Sequence, residues 1–111
     1  MQTDRISPKD LSQWLVELGT DWAHKKRASE LLESARKPLL ARLGAQSNEK
    51  SQNAREAYAL SHKDYENHCK EIADAQEQTD IAKIKYESAQ AYIELLRTLS
   101  ANERAAMREA T

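Results

Sequence analysis

The sequence predicts an all-α protein, organised as a long helical hairpin or coiled-coil-like antiparallel bundle with short accessory helices. Only 2 glycines and 2 prolines occur among 111 residues, and 32% of the residues are charged, a composition typical of helical proteins. The stronger signal is an apolar stripe with steps of three and four, which follows one face of a helix and fits no strand. Its members are Tyr65, Cys69, Ile72, Ala75, Thr79, Ala82, Tyr86, Ala89, Ile93 and Leu96.

The helix that carries this stripe is long for a small protein. At about 1.5 Å per residue it measures roughly 50 Å, so it needs an equally long partner. The first half of the chain can supply that partner, and the length of 111 residues favours a single domain over residues 1–111. Phe is absent and aromatic residues are few, so we expect a core of Leu, Ile and Ala that stabilises a lone monomer only marginally.

The first long helix is predicted over residues 8–43. Ser7-Pro8-Lys9-Asp10 forms a capping box with proline at the first helical position. The apolar stripe then rotates along the helix, which leaves two interpretations: a bent continuous helix, which we favour, or a break at Gly19-Thr20-Asp21. Pro38 predicts a kink or local break near Arg36-Lys37, and Gly44 is expected to end the helix.

The second half is predicted as one long helix between two short ones. Residues 44–53 are polar and form a loop, and a short helix follows over residues 54–60. A second capping box, Ser61-His62-Lys63-Asp64, opens the long helix over residues 62–99. A third box, Ser100-Ala101-Asn102-Glu103, predicts a separate helix over residues 101–110.

Charge and targeting signals limit the functional classes. The formal net charge is -1, so the chain lacks the overall positive field of a dedicated nucleic-acid binder. The single Cys69 cannot form an intramolecular disulfide, and no apolar run has the length of a membrane span. The first residues lack the apolar segment of a signal peptide. We therefore expect a cytoplasmic protein without membrane contact.

Metal and catalytic motifs are not recognisable. His68 and Cys69 are adjacent and point about 100° apart on a helix, and His62 has no four-residue spacing to either. We expect His62 at the surface, His68 beside the apolar face and Cys69 as a buried structural residue. The sequence has no glycine-rich phosphate loop and no nucleophile elbow. We expect no catalytic residue, no cofactor, no metal and no enzymatic activity.

A basic stretch in the first helix is the candidate for contact with nucleic acid or a protein partner. Basic side chains beside two tryptophans could hold phosphates and stack on bases. The alternative is a solvated basic flank that pairs with acidic residues of the long helix, such as Glu66, Glu71 and Asp74. We expect nucleic-acid binding to be weak at most. The candidate contacts are Trp14, Trp22, Lys25, Lys26, Arg27, Arg36 and Lys37.

A second apolar row on the long helix predicts self-association. It lies about 200° from the first stripe, so two neighbours are needed to cover both faces. A second copy is the favoured cover, which makes a homo-oligomer, most simply a dimer, the expected state. The sequence does not say which row faces the first helix. The candidate self-association residues are Ile81, Ile84, Tyr92, Leu95 and Leu99.

The second half of the chain resembles small helical proteins encoded by phages and prophages beside genes for single-strand annealing recombination. The matching residues are Ala57 to Leu60 followed by Ser61 and Tyr65, then Tyr86-Glu87, then Leu95-Leu96-Arg97-Thr98-Leu99-Ser100-Ala101. The resemblance implies an accessory factor of DNA metabolism, located in the cytoplasm of a bacterial host, with no catalytic residue to carry over.

Three functional hypotheses follow from the residues and the resemblance together. The protein is an adaptor or mediator in a recombination or replication module, or a phage-encoded inhibitor of a host defence complex such as a CRISPR effector, or a structural coiled-coil assembly protein. We favour the adaptor.

Overall fold

The computed structural model describes residues 7–110, which form four α-helices and no strand. These are α1 (Pro8–Ser34), α2 (Arg36–Gln46), α3 (Gln52–Ser61) and α4 (Lys63–Ala110). The prediction of an all-α helical hairpin is confirmed. The chain forms two compact units, unit 1 from Met1–Trp22 with Ile81–Thr111 and unit 2 from Ala23–Asp80. The expectation of a single domain stays a prediction.

Helix α1 begins where the first capping box predicts and continues without a break past Asp21. The Ser7 hydroxyl accepts a hydrogen bond from the Asp10 amide at 3.2 Å, and the Ser7 carbonyl accepts one from the Leu11 amide. Gly19 lies inside the helix with no left-handed backbone conformation. The interpretation that placed a break at Gly19-Thr20-Asp21 is therefore wrong.

The effect of Pro38 appears three residues earlier, at Ala35. The Ala35 amide is shared between the carbonyls of Leu31 and Leu32, each at 3.2 Å, and α2 starts at the next residue. Pro38 then lies in the first turn of α2, where amides have no helical partner and the missing N–H costs little. The predicted helix over residues 8–43 is thus two helices, separated at Ala35.

Helix α2 extends beyond Gly44, which we expected to end it. Gly44 is buried within the helix, and its carbonyl accepts from both the amide and the hydroxyl of Ser47. The helix ends at Gln46, so the loop is shorter than the predicted 44–53. The Ser51 hydroxyl accepts from the Ala54 amide at 3.1 Å, which starts α3 at Gln52 rather than at residue 54.

The second capping box does not form, because Ser61 belongs to the end of α3. Its hydroxyl donates to the carbonyls of Ala57 and Tyr58, within its own helix. The cap of α4 is His62, whose Nδ1 accepts from the Asp64 amide at 3.0 Å. Helix α4 accordingly begins at Lys63.

The third capping box does not interrupt α4, which runs from Lys63 to Ala110. The predicted end at Leu99 and the separate helix over residues 101–110 are wrong. The segment around Ser100 contains no glycine or proline, and an interior serine costs a helix only a few tenths of a kcal/mol. Nothing in the local sequence therefore stops the helix.

The predicted apolar stripe of α4 is the face that turns inward. All ten of its members, from Tyr65 to Leu96, are buried or half-buried, with Ile72, Ala82 and Ala89 at 2% exposure. Most neighbouring positions on the helix are exposed. The period of the sequence therefore identified the buried face of α4.

Unit 1 is held by tyrosines of α4 that pack on α1. Tyr86 lies against Trp22 with ring centroids 5.6 Å apart, and Tyr92 meets Trp14 edge-on at 6.2 Å. Because Trp14 pairs with the later tyrosine, the two helices run antiparallel. A Cβ atom added to Gly19 would lie 3.1 Å from Cε2 of Tyr86, so glycine allows the ring to approach the α1 backbone.

Unit 2 is built from two kinds of contact. Helix α2 packs against α3, with Leu43, Gly44 and Ala59 buried between them. His68 of α4 lies 2.8 Å through Nε2 from the carbonyl oxygen of Leu32, beside the break at Ala35. The imidazole therefore gives a second partner to a carbonyl at the end of α1.

The contact at Gly19 predicts that alanine behaves differently there than at Gly44. Alanine is favoured over glycine in a helix by about 1 kcal/mol. At Gly19 the added methyl group meets the Tyr86 ring, so the gain is reduced or reversed. We expect Gly19→Ala to stabilise the Tyr86→Leu variant more than the wild-type protein, by roughly 0.5 kcal/mol or more, in urea unfolding followed by circular dichroism.

Gly44→Ala is the matched control for this prediction. Its Cβ would lie 3.7 Å from Arg55 atoms, an ordinary contact, so it should raise stability equally in both backgrounds. Equal effects of Gly19→Ala in the two backgrounds would show that Tyr86 does not restrict this position.

The His68 hydrogen bond predicts a loss of stability when the donor is removed. We expect His68→Leu to lower the free energy of unfolding by about 1 kcal/mol, the usual net value of such a bond. His68→Gln keeps an N–H donor and should lose less. The comparison requires urea unfolding of both variants, and a leucine variant as stable as the glutamine variant contradicts the role of the bond.

Candidate protein-contact surface

The most distinctive surface is an exposed apolar row on α4, formed by Ile81, Ile84, Leu95 and Leu99. Their exposed fractions are 38%, 62%, 54% and 49%, high values for large apolar side chains. All four belong to unit 1 and lie on the side of α4 away from Tyr86 and Ala89. The two apolar faces of α4 therefore have different roles, one buried within the chain and one open to solvent.

Tyr92 is the one predicted member of this row that does not belong to it. It is half-buried because its ring contacts Trp14, and its hydroxyl oxygen is buried without a hydrogen-bond partner. Tyr92 therefore lies at the border between the exposed row and the packed face.

The two tryptophans predicted as candidate contacts are used in packing. Trp22 is half-buried against Tyr86, and Trp14 meets Tyr92 while keeping 40% of its surface exposed. A base would have to stack on surface that these tyrosines already cover in part. The geometry favours a structural role for Trp22, and it leaves one accessible side on Trp14.

The basic candidates of α1 divide into exposed and engaged residues. Lys26 and Arg27 are exposed, and within residues 7–110 no hydrogen bond or ion pair engages them. Lys25 is half-buried and interacts with other groups of the chain. Two of these three cations are thus available to a ligand.

Arg36 is committed to contacts within unit 2. Its guanidinium donates to the Glu33 carboxylate at 2.9 Å, and Tyr65 of α4 lies near enough to influence its pKa. The bond to Glu33, and after it the proximity of Tyr65, raise the pKa of Arg36 above its usual value. Lys37 beside it is exposed. Arg36 is therefore better placed to join α2 to α4 than to bind phosphate.

The ion pairs formed by these charged residues are local. Glu66 pairs with Lys70 at 3.3 Å and Arg36 with Glu33, each within a few residues in sequence. The acidic residues of α4 in unit 2, including Glu71 and Asp74, are exposed. These contacts give no support to the expected pairing of a basic flank with an acidic flank.

Histidine and cysteine side chains do not converge on a metal site in the part of the chain that the structure describes. No group of three His, Cys, Asp or Glu residues could hold an ion there. His68 bonds to Leu32, His62 caps α4, and Cys69 is a half-buried free thiol.

An open groove in unit 2 is a feature that the sequence did not predict. It has a volume of about 540 Å³ and is lined by residues of α2 and α3 that include Leu40, Gly44, Arg55, Glu56 and Leu60. The Arg55 Nε donates to the Glu49 carbonyl, and no nucleophilic side chain lies among the lining residues. Three small residues of α2, Ala41, Gly44 and Ala45, are part of its lining.

Comparison with known proteins gives no further assignment. No protein-family model, no curated protein and no solved structure matches this chain. Among residues 7–110, no helix is both long and apolar enough to cross a membrane.

The exposed cations predict at most weak binding of single-stranded DNA. If Lys26 and Arg27 contact phosphates, replacing both with alanine should flatten the log–log salt dependence of binding by about 0.7 per lost contact. The double variant Lys50→Ala with Lys63→Ala removes the same charge elsewhere and should leave the slope unchanged. Fluorescence anisotropy over a salt series measures the slopes, and equal slopes for all three proteins would assign Lys26 and Arg27 to a solvated surface.

Proposed function

We propose that this protein is a non-enzymatic accessory factor that acts through protein–protein contacts, as an adaptor or mediator in phage-type DNA recombination or replication. The observation that supports the contact role is the exposed row of Ile81, Ile84, Leu95 and Leu99. Exposed apolar side chains aligned on one rigid element are typical of interaction sites. The resemblance of the second half to phage proteins supports the placement in DNA metabolism.

The row has the features of a helix-in-groove or helix-on-helix contact. Its members recur on one face of α4, and the opposite face is fixed by packing against α1, so the row is presented without rearrangement. A binding surface that is already ordered loses little conformational entropy on association. A surface that loses little entropy on binding is suited to an adaptor that brings larger proteins together.

The test is affinity purification from host cells with wild-type protein and two variants of matched chemistry. Ile84→Glu with Leu95→Glu places charges in the row, whereas Leu31→Glu places one at a 57% exposed leucine of α1 in unit 2. We expect recombination or replication proteins that are retained by wild type and by Leu31→Glu, and lost with the row variant.

Other outcomes of this experiment contradict the adaptor proposal. Row-dependent recovery of a host defence complex would identify an inhibitor. Recovery of no protein except the chain itself would identify a structural assembly protein.

A further inference from the structure

The side chains in the last turns of α4 are exposed. Every residue from Arg97 to Ala110 is exposed, and Met107 has 71% of its surface in solvent. We call residues 100–110 the α4 overhang. A helical segment of this length is marginal in water unless another surface covers one of its faces. Burial of one face of the overhang against another surface would therefore stabilise it, as it would the exposed row.

The row and the overhang share one stripe that is uncharged from Ile84 to Ala106. At 100° per residue, six positions between these two residues fall within about 30° of one line along α4, and Glu109 continues the line. Positions 84, 95 and 106 are spaced by eleven, a repeat that keeps a stripe nearly straight along a helix. We call this set the contact stripe; it consists of Ile84, Ser88, Ala91, Leu95, Asn102 and Ala106.

We propose that the contact stripe binds the same stripe of a second copy in an antiparallel two-fold dimer centred on Leu95, so that each overhang covers the exposed row of the other chain. This proposal rests on the proposed role of the row as a protein-contact surface; the first partner of the row is a second copy, and the proteins that the adaptor joins bind the dimer. With Leu95 on the axis, Ile84 faces Ala106 of the second copy, and Ala91 faces Leu99. Large side chains thereby meet small ones along the interface.

Charge on one flank of the stripe favours this alignment. Lys85 and Glu103 lie on the same flank, and within residues 7–110 neither takes part in an ion pair or hydrogen bond. In an antiparallel pair equal flanks meet, so Lys85 of each chain comes beside Glu103 of the other. A parallel pair would instead bring each flank beside the other flank of the second copy, so Lys85 and Glu103 would not meet.

On the opposite flank like charges meet, because Lys83 comes near Arg108 of the second copy. Glu94 comes near Glu94 of the second copy at the axis, and this repulsion is offset by Arg97, which already bonds to Glu94 at 2.9 Å in the single chain. Arg97 can bridge the carboxylates of both chains. A different protein as the occupant of the stripe would have to reproduce this pattern, whereas a second copy supplies it by symmetry.

Light scattering after size exclusion, at several concentrations, tests the oligomeric state. We expect a dimer for the wild-type protein and for Leu31→Glu, and a monomer of unchanged helicity for Leu95→Glu. Lys85→Glu should weaken the dimer several-fold, and the double variant Lys85→Glu with Glu103→Lys should restore it. A wild-type monomer throughout overturns the proposal, as does a Leu95→Glu protein that stays dimeric.

Cysteine cross-linking tests the alignment in the full chain with Cys69→Ser. Leu95→Cys lies on the proposed axis and should form a disulfide-linked dimer under mild oxidation, whereas Ala101→Cys lies off the stripe and should not. A dimer in which residue 95 does not cross-link overturns the centre of symmetry. A monomer that still retains a row-dependent partner overturns the dimer alone, while a cross-linked dimer that retains no other protein overturns the adaptor role alone.

Discussion

The close approach of α1 and α4 at Gly19 is the constraint on which unit 1 depends. The Tyr86 ring lies against the backbone of α1 and beside Trp22, so close that a Cβ at residue 19 would lie 3.1 Å from the ring. The inward face of α4 elsewhere carries alanines at positions 75, 82 and 89, which bury little apolar area each. The aromatic contacts therefore supply much of the specificity that the small residues cannot.

This use of small residues explains why larger apolar side chains lie outside. Leu, Ile and Ala were expected to make the core, and the buried set does include Leu43, Ile72 and Ala82. Ile84 and Leu95, however, lie on the outer face of α4, where no helix among residues 7–110 covers them. The buried side chains are mostly small, and large apolar side chains are exposed on α4. Association that covers those exposed side chains would therefore stabilise the protein.

The sequence predicted the buried face of α4 correctly, but it did not predict correctly where the helix ends. Periodicity depends on all positions of a helix at once, so single exceptions such as Thr79 do not obscure it. A capping box depends on only two side chains, and the pattern also occurs where no helix starts, as at Ser61 and Ser100. The box at Ser7 forms because Pro8 follows it, and a proline without an N–H is suited to the first turn.

The sequence predicted which residues form the row on α4, but it did not predict that this row faces solvent. Spacing placed Ile84 and Leu95 on one face of α4, whereas the choice of the outer face depends on Gly19 and the tryptophans, which are distant in sequence. Tyr92 was misplaced for the same reason, since only the fold brings Trp14 beside it. From the sequence, Arg36 was expected to be a cation available to a partner. In the structure, α2 begins after the break at Ala35 and places the Arg36 guanidinium near Glu33 and Tyr65.

The continuity of α4 past Leu99 changes what the exposed row can do. As a separate short helix, residues 101–110 could fold back and cover part of the row within one chain. As a straight extension they cannot, because a helix does not turn without a break. The row and the overhang therefore stay exposed together on one line of α4, and none of the helices described between residues 7 and 110 covers either of them.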